Sequence, residues 1–406
     1  MKIVVINPTN QGFFPRMYRS LKSIYEEQGH ECLLLSPRNF TNRRNPLPNQ
    51  KFWGTYLNFH VHYRLYKLLG IQDVFSIFET LHLLWILKRE KPDIIHLHNV
   101  IAWVLNFPLF IWYVNKHNIP VVWTMHDCRA ITGRCAYFEQ VDCYNWTNGC
   151  KKCQYPNEYW PTILNNSGLQ WKIRNKFFQE FKNLTIITPS HWLESYMKKS
   201  AFFKNHNILT IHNGIDTDIF AKENTYKHRI IEENKDKKIV LCVAAFMNKY
   251  KGLYELIEIS KDLPEDYQIV LVGNINKSDT EKIPSKIICL PSTYSVEELV
   301  SIFQGATVYA NPTLIDNFPT VNIEALAAGL PIATYKTGGS PEAIDKTCGI
   351  AVEKGNRKEL ANAIIQICEN RHIYTRENCQ NRAKEFSSSQ YNKYLDIFHK
   401  LIKGQQ

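Results

Sequence analysis

The sequence predicts an α/β protein in which the same architecture is built twice. Short apolar runs recur along the 406 residues, and each is followed by a longer segment with helical spacing. This alternation is typical of strands that are buried on both faces of a parallel sheet. A chain of this length also exceeds the size at which one hydrophobic core usually stops growing, so we expect two domains.

The predicted strands fall into two sets. The first set comprises Ile3–Ile6, Ile94–Leu97, Val121–Met125, Ile186–Thr188 and Leu209–Ile211. The second set comprises Ile239–Ala244, Ile269–Val272, Ile287–Leu290, Thr307–Ala310, Ile332–Thr334 and Ile350–Val352. A turn signal at Asn213-Gly214 and the charged stretch Lys222–Lys238 lie between the two sets, where we expect the domain boundary.

These features divide the chain into residues 1–214, residues 215–385 and a final segment, residues 386–406. In the final segment, Tyr391, Leu395 and Phe398 have the spacing i, i+4, i+7 of an amphipathic helix, and Leu401 continues the stripe. We expect this helix to return to the first domain.

The composition indicates a globular protein with an anionic partner. The chain is 44% hydrophobic and 21% charged, and its formal net charge is +11. This charge fits a phosphorylated substrate, an acidic membrane surface or a nucleic acid. The longest apolar stretch, Val100 to Val114, is shorter than the ~20 residues that span a bilayer, and we expect a helix between two strands there. No export signal is recognisable, so we expect a cytoplasmic protein.

Two acidic residues flank a predicted helix start after the strand Thr307–Ala310. Proline is favoured in the first turn of a helix, which places the start near Pro319 or Thr320. Asp316 precedes this start, and Glu324 lies inside the helix. The N–H groups of a helix start attract anions, and carboxylates accept hydrogen bonds from hydroxyl groups. A nucleotide sugar offers both phosphates and hydroxyls.

The pattern Asp316-x7-Glu324, followed by Ala-Leu-Ala-Ala-Gly-Leu-Pro, resembles the E-x7-E signature of family-four retaining glycosyltransferases. That family has the GT-B fold, two Rossmann-like domains whose parallel sheets face each other across a cleft. The resemblance implies that Glu324 holds the nucleotide ribose and that Asp316 faces the donor sugar. It also implies sugar contacts from the backbone at Phe318, Pro319 and Thr320. Asp316 is one methylene shorter than the usual glutamate.

Two further loops of the second domain resemble donor-binding positions of this family. Lys251 looks like the lysine that binds the pyrophosphate, although Ala245 stands where the family has an arginine. Gly338 and Gly339 are similar to the Gly-Gly of the family's Gly-Gly-x-Pro-Glu stretch, and paired glycines let the backbone approach a ligand closely.

The first domain supplies two more candidates. His126 ends the strand Val121–Met125, where the family keeps a histidine that hydrogen-bonds the donor sugar near the reacting carbon. We therefore expect His126 and Asp316 to be the catalytic residues. Gly12 lies in the first loop, where the family places glycines beside the donor phosphates, but the aromatic pair Phe13-Phe14 follows it here.

A cysteine-rich loop, residues 128–153, follows His126. Cys135, Cys143, Cys150 and Cys153 have the spacing C-x7-C-x6-C-x2-C. Four thiolates in a reducing compartment satisfy tetrahedral Zn²⁺, and a closed four-cysteine site indicates a structural ion. We predict a structural zinc and no catalytic metal, with free thiols as the alternative. A subgroup of capsule and exopolysaccharide transferases is similar in this loop.

Basic and aromatic residues alternate between Arg16 and Lys67, among them Arg43, Trp53 and Tyr63. This mixture fits peripheral contact with an anionic membrane and with a lipid-pyrophosphate acceptor. An amphipathic helix pair with an aromatic core face accounts for it equally well.

The sequence thus predicts transfer of a sugar from a nucleotide-sugar donor to a glycan or lipid-linked glycan, with retention of anomeric configuration. The resemblance implies surface polysaccharide biosynthesis at the inner face of the plasma membrane. A nucleotide-sugar 2-epimerase of the same fold is the alternative. Nucleic-acid binding is disfavoured, because it does not explain two acids placed after a strand.

Overall fold

The computed structural model describes residues 1–100 and 103–404. The chain folds as two compact units, one formed by Met1–Ile211 together with Tyr391–Gln406 and the other by His212–Gln390. These limits lie a few residues from those drawn on the sequence. Ile101 and Ala102, at the start of the long apolar stretch, fall outside the described residues.

The strands are, in chain order, β1 Lys2–Ile6, β2 Glu31–Pro37, β3 Gln50–Trp53, β4 Ile94–His98, β5 Val121–Thr124, β6 Leu184–Thr188, β7 Asn207–Thr210, β8 Lys238–Met247, β9 Tyr267–Ile275, β10 Ile287–Leu290, β11 Val308–Asn311, β12 Ile332–Tyr335 and β13 Gly349–Val352. The first seven strands belong to the first unit and the others to the second.

The helices are α1 Phe14–Glu27, α2 Phe40–Arg44, α3 Tyr56–Leu69, α4 Ile77–Glu90, α5 Phe107–Lys116, α6 Ser167–Gln179, α7 His191–Lys199, α8 Asp218–Ala221, α9 Arg229–Glu233, α10 Leu253–Asp262, α11 Lys277–Thr280, α12 Val296–Gly305, α13 Thr320–Ala327, α14 Arg357–Glu369, α15 Arg376–Lys384 and α16 Asn392–Lys403. No helix of the described residues is both long enough and apolar enough to cross a bilayer.

Each unit is built on one parallel sheet. Over the described residues, the six strands of the second sheet have the same order as the first six strands of the first sheet, which has β7 in addition. The order is β3-β2-β1-β4-β5-β6-β7 in the first unit and β10-β9-β8-β11-β12-β13 in the second. In both sheets the strand order reverses next to the first strand, between β1 and β4 and between β8 and β11. Doubly wound sheets bind ligands outside the carboxyl ends of the strands at such a switch point. The topology therefore indicates one binding position in each unit.

The predicted α/β class is confirmed, but two strands were missed. The short strand β3 has two polar residues followed by two aromatic residues, so it offers no apolar run long enough to detect. The core of β2, Cys32 to Leu35, is apolar and buried, and its pattern was readable. Both strands lie on the same side of β1, with β2 next to β1 and β3 at the edge of the first sheet.

The final helix α16 belongs to the first unit. Phe398 packs against Tyr25 with ring centroids 5.7 Å apart, and the hydroxyl of Tyr394 lies 3.0 Å from Oγ1 of Thr124 on β5. Tyr394 was absent from the apolar stripe read on the sequence, yet it is buried with that stripe.

Candidate functional site

The helix start predicted from the two acids exists in the second unit. The strand β11 ends at Asn311, and α13 begins at Thr320 with Pro319 as its N-cap residue. Pro319, as the N-cap residue, has no side-chain oxygen to cap this helix start. The first N–H groups of a helix carry a partial positive charge, and this charge suits an anion.

Lys251 and Asp316 meet at the switch point of the second sheet. Their Nζ and Oδ2 atoms are 2.6 Å apart, and the other carboxylate oxygen of Asp316 accepts the backbone N–H of Asn317 at 2.9 Å. Lys251 follows β8 and Asp316 follows β11, so neighbouring strands bring together two residues that lie 65 positions apart. The lysine is only partly buried, and a pyrophosphate would compete with Asp316 for its charge.

Glycine permits the close packing of the loops around this pair. Gly338 has φ +54, and a Cβ atom there would lie 1.7 Å from the carbonyl oxygen of Asp316. Gly339 donates its N–H to the carbonyl of Asn317 at 2.6 Å. Gly252, with φ +86, would place a Cβ atom 2.3 Å from the carbonyl oxygen of Pro312. The loops after β8, β11 and β12 therefore touch through backbone, with no room for side chains at these points.

Glu324 lies inside α13 and is almost completely buried, as is Phe318 in the preceding loop. A chain of side-chain hydrogen bonds connects this helix to the end of β11 and to Ser340. Asn311 donates Nδ2–H to Oδ1 of Asn322 at 2.7 Å, and Asn322 donates to Oγ of Ser340 at 2.9 Å. The sequence analysis did not single out these three residues, because their spacing along the chain carries no motif.

In the first unit, His126 lies next to a second histidine that the sequence analysis missed. Nδ1 of His98, on β4, is 3.0 Å from Nε2 of His126. Burial is the main cause that lowers the pKa of His126 to about 4, with Asp127 acting against it. Burial also lowers the pKa of His98 well below its usual value. Both imidazoles are thus neutral near pH 7, and a single N–H joins them.

A cavity of about 540 Å³ opens at the carboxyl ends of β1, β2 and β4 in the first unit. Gln11 and Arg129 contribute to its wall. Gly12 stands beside Gln11 in a left-handed conformation, φ +67, and a Cβ atom there would meet nothing within 4 Å. Backbone conformation, not crowding, therefore favours glycine at this position. The aromatic side chains that line the cavity are Phe40, Phe59, Trp103 and Trp160.

The cysteine-rich loop after β5 is fixed by one arginine from α6. Arg174 forms a fully buried ion pair with Asp73, with Nε and Oδ2 2.7 Å apart. Its Nη1 group donates to the carbonyls of Arg129 at 2.5 Å and of Thr132 at 2.7 Å. The backbone between His126 and the first of the four cysteines therefore depends on this side chain.

The four cysteines of the zinc prediction lie close enough to influence one another. A hydrogen bond from Cys135 is the main cause that lowers the pKa of the Cys153 thiol, and Ser167 also donates to that sulfur. Cys143 and Cys153 contribute to the raised pKa of Cys150, which burial dominates. Within the described residues, no three of these sulfurs all lie within 4.8 Å of one another.

Profiles of known protein families match both halves of the chain. A profile described as Glycosyltransferase Family 4 matches residues 16–219, just over half of the chain. The chain belongs to glycosyltransferase family 4. A second profile, Glycosyl transferases group 1, matches residues 224–386 of this family-four enzyme. The predicted family is confirmed, and the protein is a retaining glycosyltransferase that uses a nucleotide-sugar donor.

Two sequence relatives cover most of this family-four enzyme. It is 23% identical over 319 residues to a putative colanic acid biosynthesis glycosyl transferase, WcaC, of Escherichia coli K12, covering 74% of this chain and 75% of the relative. It is 24% identical over 326 residues to an uncharacterized 41.2 kDa protein in the cps region of Klebsiella pneumoniae, covering 77% and 80%.

Solved structures confirm the GT-B fold. Sucrose-phosphate synthase from Thermosynechococcus elongatus superposes with a TM-score of 0.69 at 16% identity, covering all of both chains. HepE of Anabaena, in complex with UDP-glucose, superposes with a TM-score of 0.65 at 15% identity, covering 98% of each chain. The roles of individual residues remain predictions.

Proposed function

We propose that this glycosyltransferase moves a hexose from a UDP-sugar to a growing surface polysaccharide. The observation that carries the proposal is the contact between Lys251 and Asp316, made at the switch point of the second sheet beside the start of α13. A cation, a carboxylate and a helix start at one place suit the phosphates and hydroxyls of a nucleotide sugar. The UDP-glucose bound by the structurally similar HepE supports the choice of nucleotide.

In the proposed reaction, Glu324 holds the ribose and Lys251 binds the pyrophosphate. The bond between the sugar's anomeric carbon and the phosphate oxygen breaks, and a bond to the acceptor oxygen forms on the same face. The leaving phosphate takes the acceptor's proton, so no protein nucleophile is required. Neutral His126, oriented by His98 at 3.0 Å, hydrogen-bonds the donor sugar, and Asp316 faces its hydroxyls. Preorganised groups of this kind stabilise charge as it develops.

The acceptor is proposed to bind the first unit in the cavity that Gln11 and Arg129 help to line. Flat aromatic rings such as Trp103 and Trp160 offer faces on which a sugar ring packs, and Arg129 offers a charge for a phosphate. The colanic acid and capsule-region relatives support a surface-polysaccharide acceptor. We further propose that the acceptor is carried on a lipid pyrophosphate and that the enzyme works at the inner face of the plasma membrane.

The substitution Glu324→Ala tests the donor site. The variant should lose sugar transfer by at least about a hundredfold, because the lost hydrogen bonds include those to a ribose in a buried position. Calorimetry should show that UDP binding is lost in parallel. The matched control is Glu353→Ala, which removes an exposed carboxylate paired with Lys336 and should leave both properties unchanged.

Unaltered turnover in Glu324→Ala would refute the assigned site. Donor consumed without a glycosylated product, and recovered as an epimer, would instead support the 2-epimerase. A screen of UDP- and GDP-sugars by thermal shift on the wild type supplies the donor for this assay. If only GDP-sugars raise the melting temperature, the UDP assignment is wrong while the site stands.

We also propose that Cys135, Cys143, Cys150 and Cys153 hold a structural zinc ion. The hydrogen bonds onto two of these sulfurs support the proposal. Gly133 donates its N–H to Sγ of Cys150 at 3.3 Å, and the N–H of Tyr155 favours the thiolate of Cys153. Thiolate ligands commonly have such donors around them. The four sulfurs would have to draw closer together around the ion, to Zn–S distances of about 2.3 Å.

Metal analysis of reduced, freshly purified protein tests the zinc proposal. Wild type should contain about one zinc per chain, and Cys143→Ser and Cys150→Ser should lose it. The control Cys289→Ser removes an exposed thiol of the second unit and should keep it. Wild type without zinc, or with four additional reactive thiols and no metal, would contradict the proposal.

A further inference from the structure

We propose that a second cavity of the first unit binds a negatively charged sugar unit of the acceptor, one that carries a carboxylate or a phosphate. The inference rests on the proposed function, because it concerns the same acceptor. The cavity has a volume of about 460 Å³, within the range of about 300–1,000 Å³ that is typical of small-molecule sites. We call it the anion cavity and define it by Arg134, Ala136, Asn157, Tyr159 and Trp160, which line it.

The anion cavity adjoins the cavity already proposed for the acceptor. Arg129 and Trp160 line both of them, and the guanidinium of Arg129 lies 4.7 Å from the centre of the Trp160 ring. Arg129 also borders a small recess at the end of β5, together with Asn99 and His126. An acceptor whose reacting hydroxyl lies near His126 can therefore extend past Trp160 into the anion cavity.

Arg134 is the feature of this cavity that indicates an anion. Its side chain is only 6% exposed. The guanidinium forms no ion pair within the described residues, and its Nε atom has no hydrogen-bond partner there. Its Nη2 group donates to the carbonyls of Pro156 at 2.9 Å and of Trp160 at 2.8 Å, which are neutral acceptors. A buried cation without a counter-ion is unfavourable, so an anionic ligand here would supply the missing charge.

The nearby carboxylates have other partners. Asp127 pairs with Arg129, whose Nη2 lies 2.7 Å from Oδ2 of the acid. Glu158, which also lines the anion cavity, is exposed and accepts a hydrogen bond from Gln140 at 3.3 Å. Arg134 thus remains for the carboxylate or phosphate of a ligand, the two groups whose geometry a guanidinium matches.

The cysteine-rich loop is the competing partner for this charge. Arg134 precedes Cys135, and its charge contributes to the lowered pKa of the Cys153 thiol, although a hydrogen bond from Cys135 is the main cause. A zinc ion with four thiolates would carry a net negative charge that Arg134 could balance without any ligand. Zinc content therefore has to be measured beside ligand binding.

The rest of the wall suits a sugar ring better than a bare ion. Tyr159 and Trp160 present aromatic side chains to the cavity, and a sugar ring packs on such faces. The hydroxyl of Tyr159 donates to the carbonyl of Tyr137 and accepts the N–H of Tyr137 at 3.2 Å, which fixes the ring. Because the charged unit and the reacting unit occupy separate cavities, an earlier sugar-transfer reaction must have joined them.

Saturation-transfer NMR titrations of the full-length protein, without any nucleotide, test the inference. The three ligands are methyl β-glucoside, methyl β-glucuronide and methyl β-glucoside 6-phosphate, which share one ring and differ at carbon 6. Wild type should bind at least one of the charged ligands about tenfold more tightly than the neutral one. The tighter of the two charged ligands identifies the anion as carboxylate or phosphate. Equal affinity for all three ligands would overturn the inference.

Two variants locate the binding in the anion cavity. Ala136→Phe fills the cavity and should weaken binding of the charged ligand at least about tenfold. Arg134→Met removes the charge and should lower the affinity for that ligand to the level of the neutral one. The matched control, Arg371→Met, removes an exposed arginine of the second unit that also donates to a carbonyl, that of Thr307 at 2.7 Å, and should bind as wild type does.

Thermal melting of each variant confirms that it is folded, and the comparison of ligands on the wild type needs no variant. Unchanged binding in Arg134→Met together with loss of zinc would assign its charge to the cysteine-rich loop and overturn the inference. A preference for the charged ligand without any sugar transfer would refute the proposed function and leave the binding site intact. Sugar transfer without that preference would refute this inference alone.

Discussion

The loop that follows β11 and the loop that follows β5 are held in place by different kinds of contact. Both carry candidate site residues away from the end of a parallel strand. The loop after β11 is short and packs through backbone, since Gly338 leaves no room for a Cβ atom against Asp316. The loop after β5 is long and is held by side chains, above all by Arg174.

This difference separates a fixed site from an adaptable one. Contacts between backbones permit almost no substitution, so the geometry around Asp316 tolerates little change. A loop held by a buried ion pair keeps its ends while its surface residues change. The proposed donor site lies in the first kind of loop, and the proposed acceptor cavity borders the second.

The largest expected effect concerns the side chain that holds the loop after β5. Arg174→Ala leaves the carboxylate of Asp73 buried without its cation, whereas burial already raises the pKa of that group. Unfolding free energy should fall by about 3–5 kcal/mol, as measured by urea denaturation. The control Arg229→Ala removes an exposed helical pair with Glu233 and should cost about 0.5 kcal/mol or less. Equal losses of unfolding free energy in the two variants would show that Arg174 does not hold the loop after β5.

The next effect concerns backbone packing in the loop after β11. Gly338→Ala and Gly355→Ala both place alanine at positive φ, +54 and +81, which costs about 1–2 kcal/mol each. Only Gly338 faces the carbonyl of Asp316, whereas nothing lies within 4 Å of a Cβ atom at Gly355. Sugar transfer should therefore fall about a hundredfold in Gly338→Ala alone. Similar activity in the two variants would show that packing against Asp316 is irrelevant.

The smallest effect is a pH dependence that belongs to the first unit. Burial, with a smaller contribution from His126, lowers the pKa of His96 to about 3. As pH falls below about 6.5, the unfolded chain binds a proton that the folded chain refuses, so stability declines by about 1.4 kcal/mol per pH unit for this group. His96→Gln should reduce that slope between pH 6.5 and 5, measured by urea denaturation. An unchanged slope would show that buried His96 does not contribute to the loss of stability at low pH.

Sequence reasoning succeeded where a feature depends on residues adjacent in the chain. The start of α13 near Pro319 followed from proline and from the acids around it, and most strands followed from apolar runs. Reasoning failed where a feature depends on partners from distant segments. His98 was missed beside His126 because they lie 28 positions apart. Arg174 was missed because nothing local marks a residue that binds Asp73 and a remote loop.

The sequence by itself determined the class of fold, the family and the helix start between Asp316 and Glu324, because strand periodicity and a spaced motif are local properties. Only the tertiary structure decided that Lys251 meets Asp316 and that Gly338 lies against that loop. Those facts depend on the order of strands in each sheet. Non-local packing fixes this order, and no single segment of the chain encodes it.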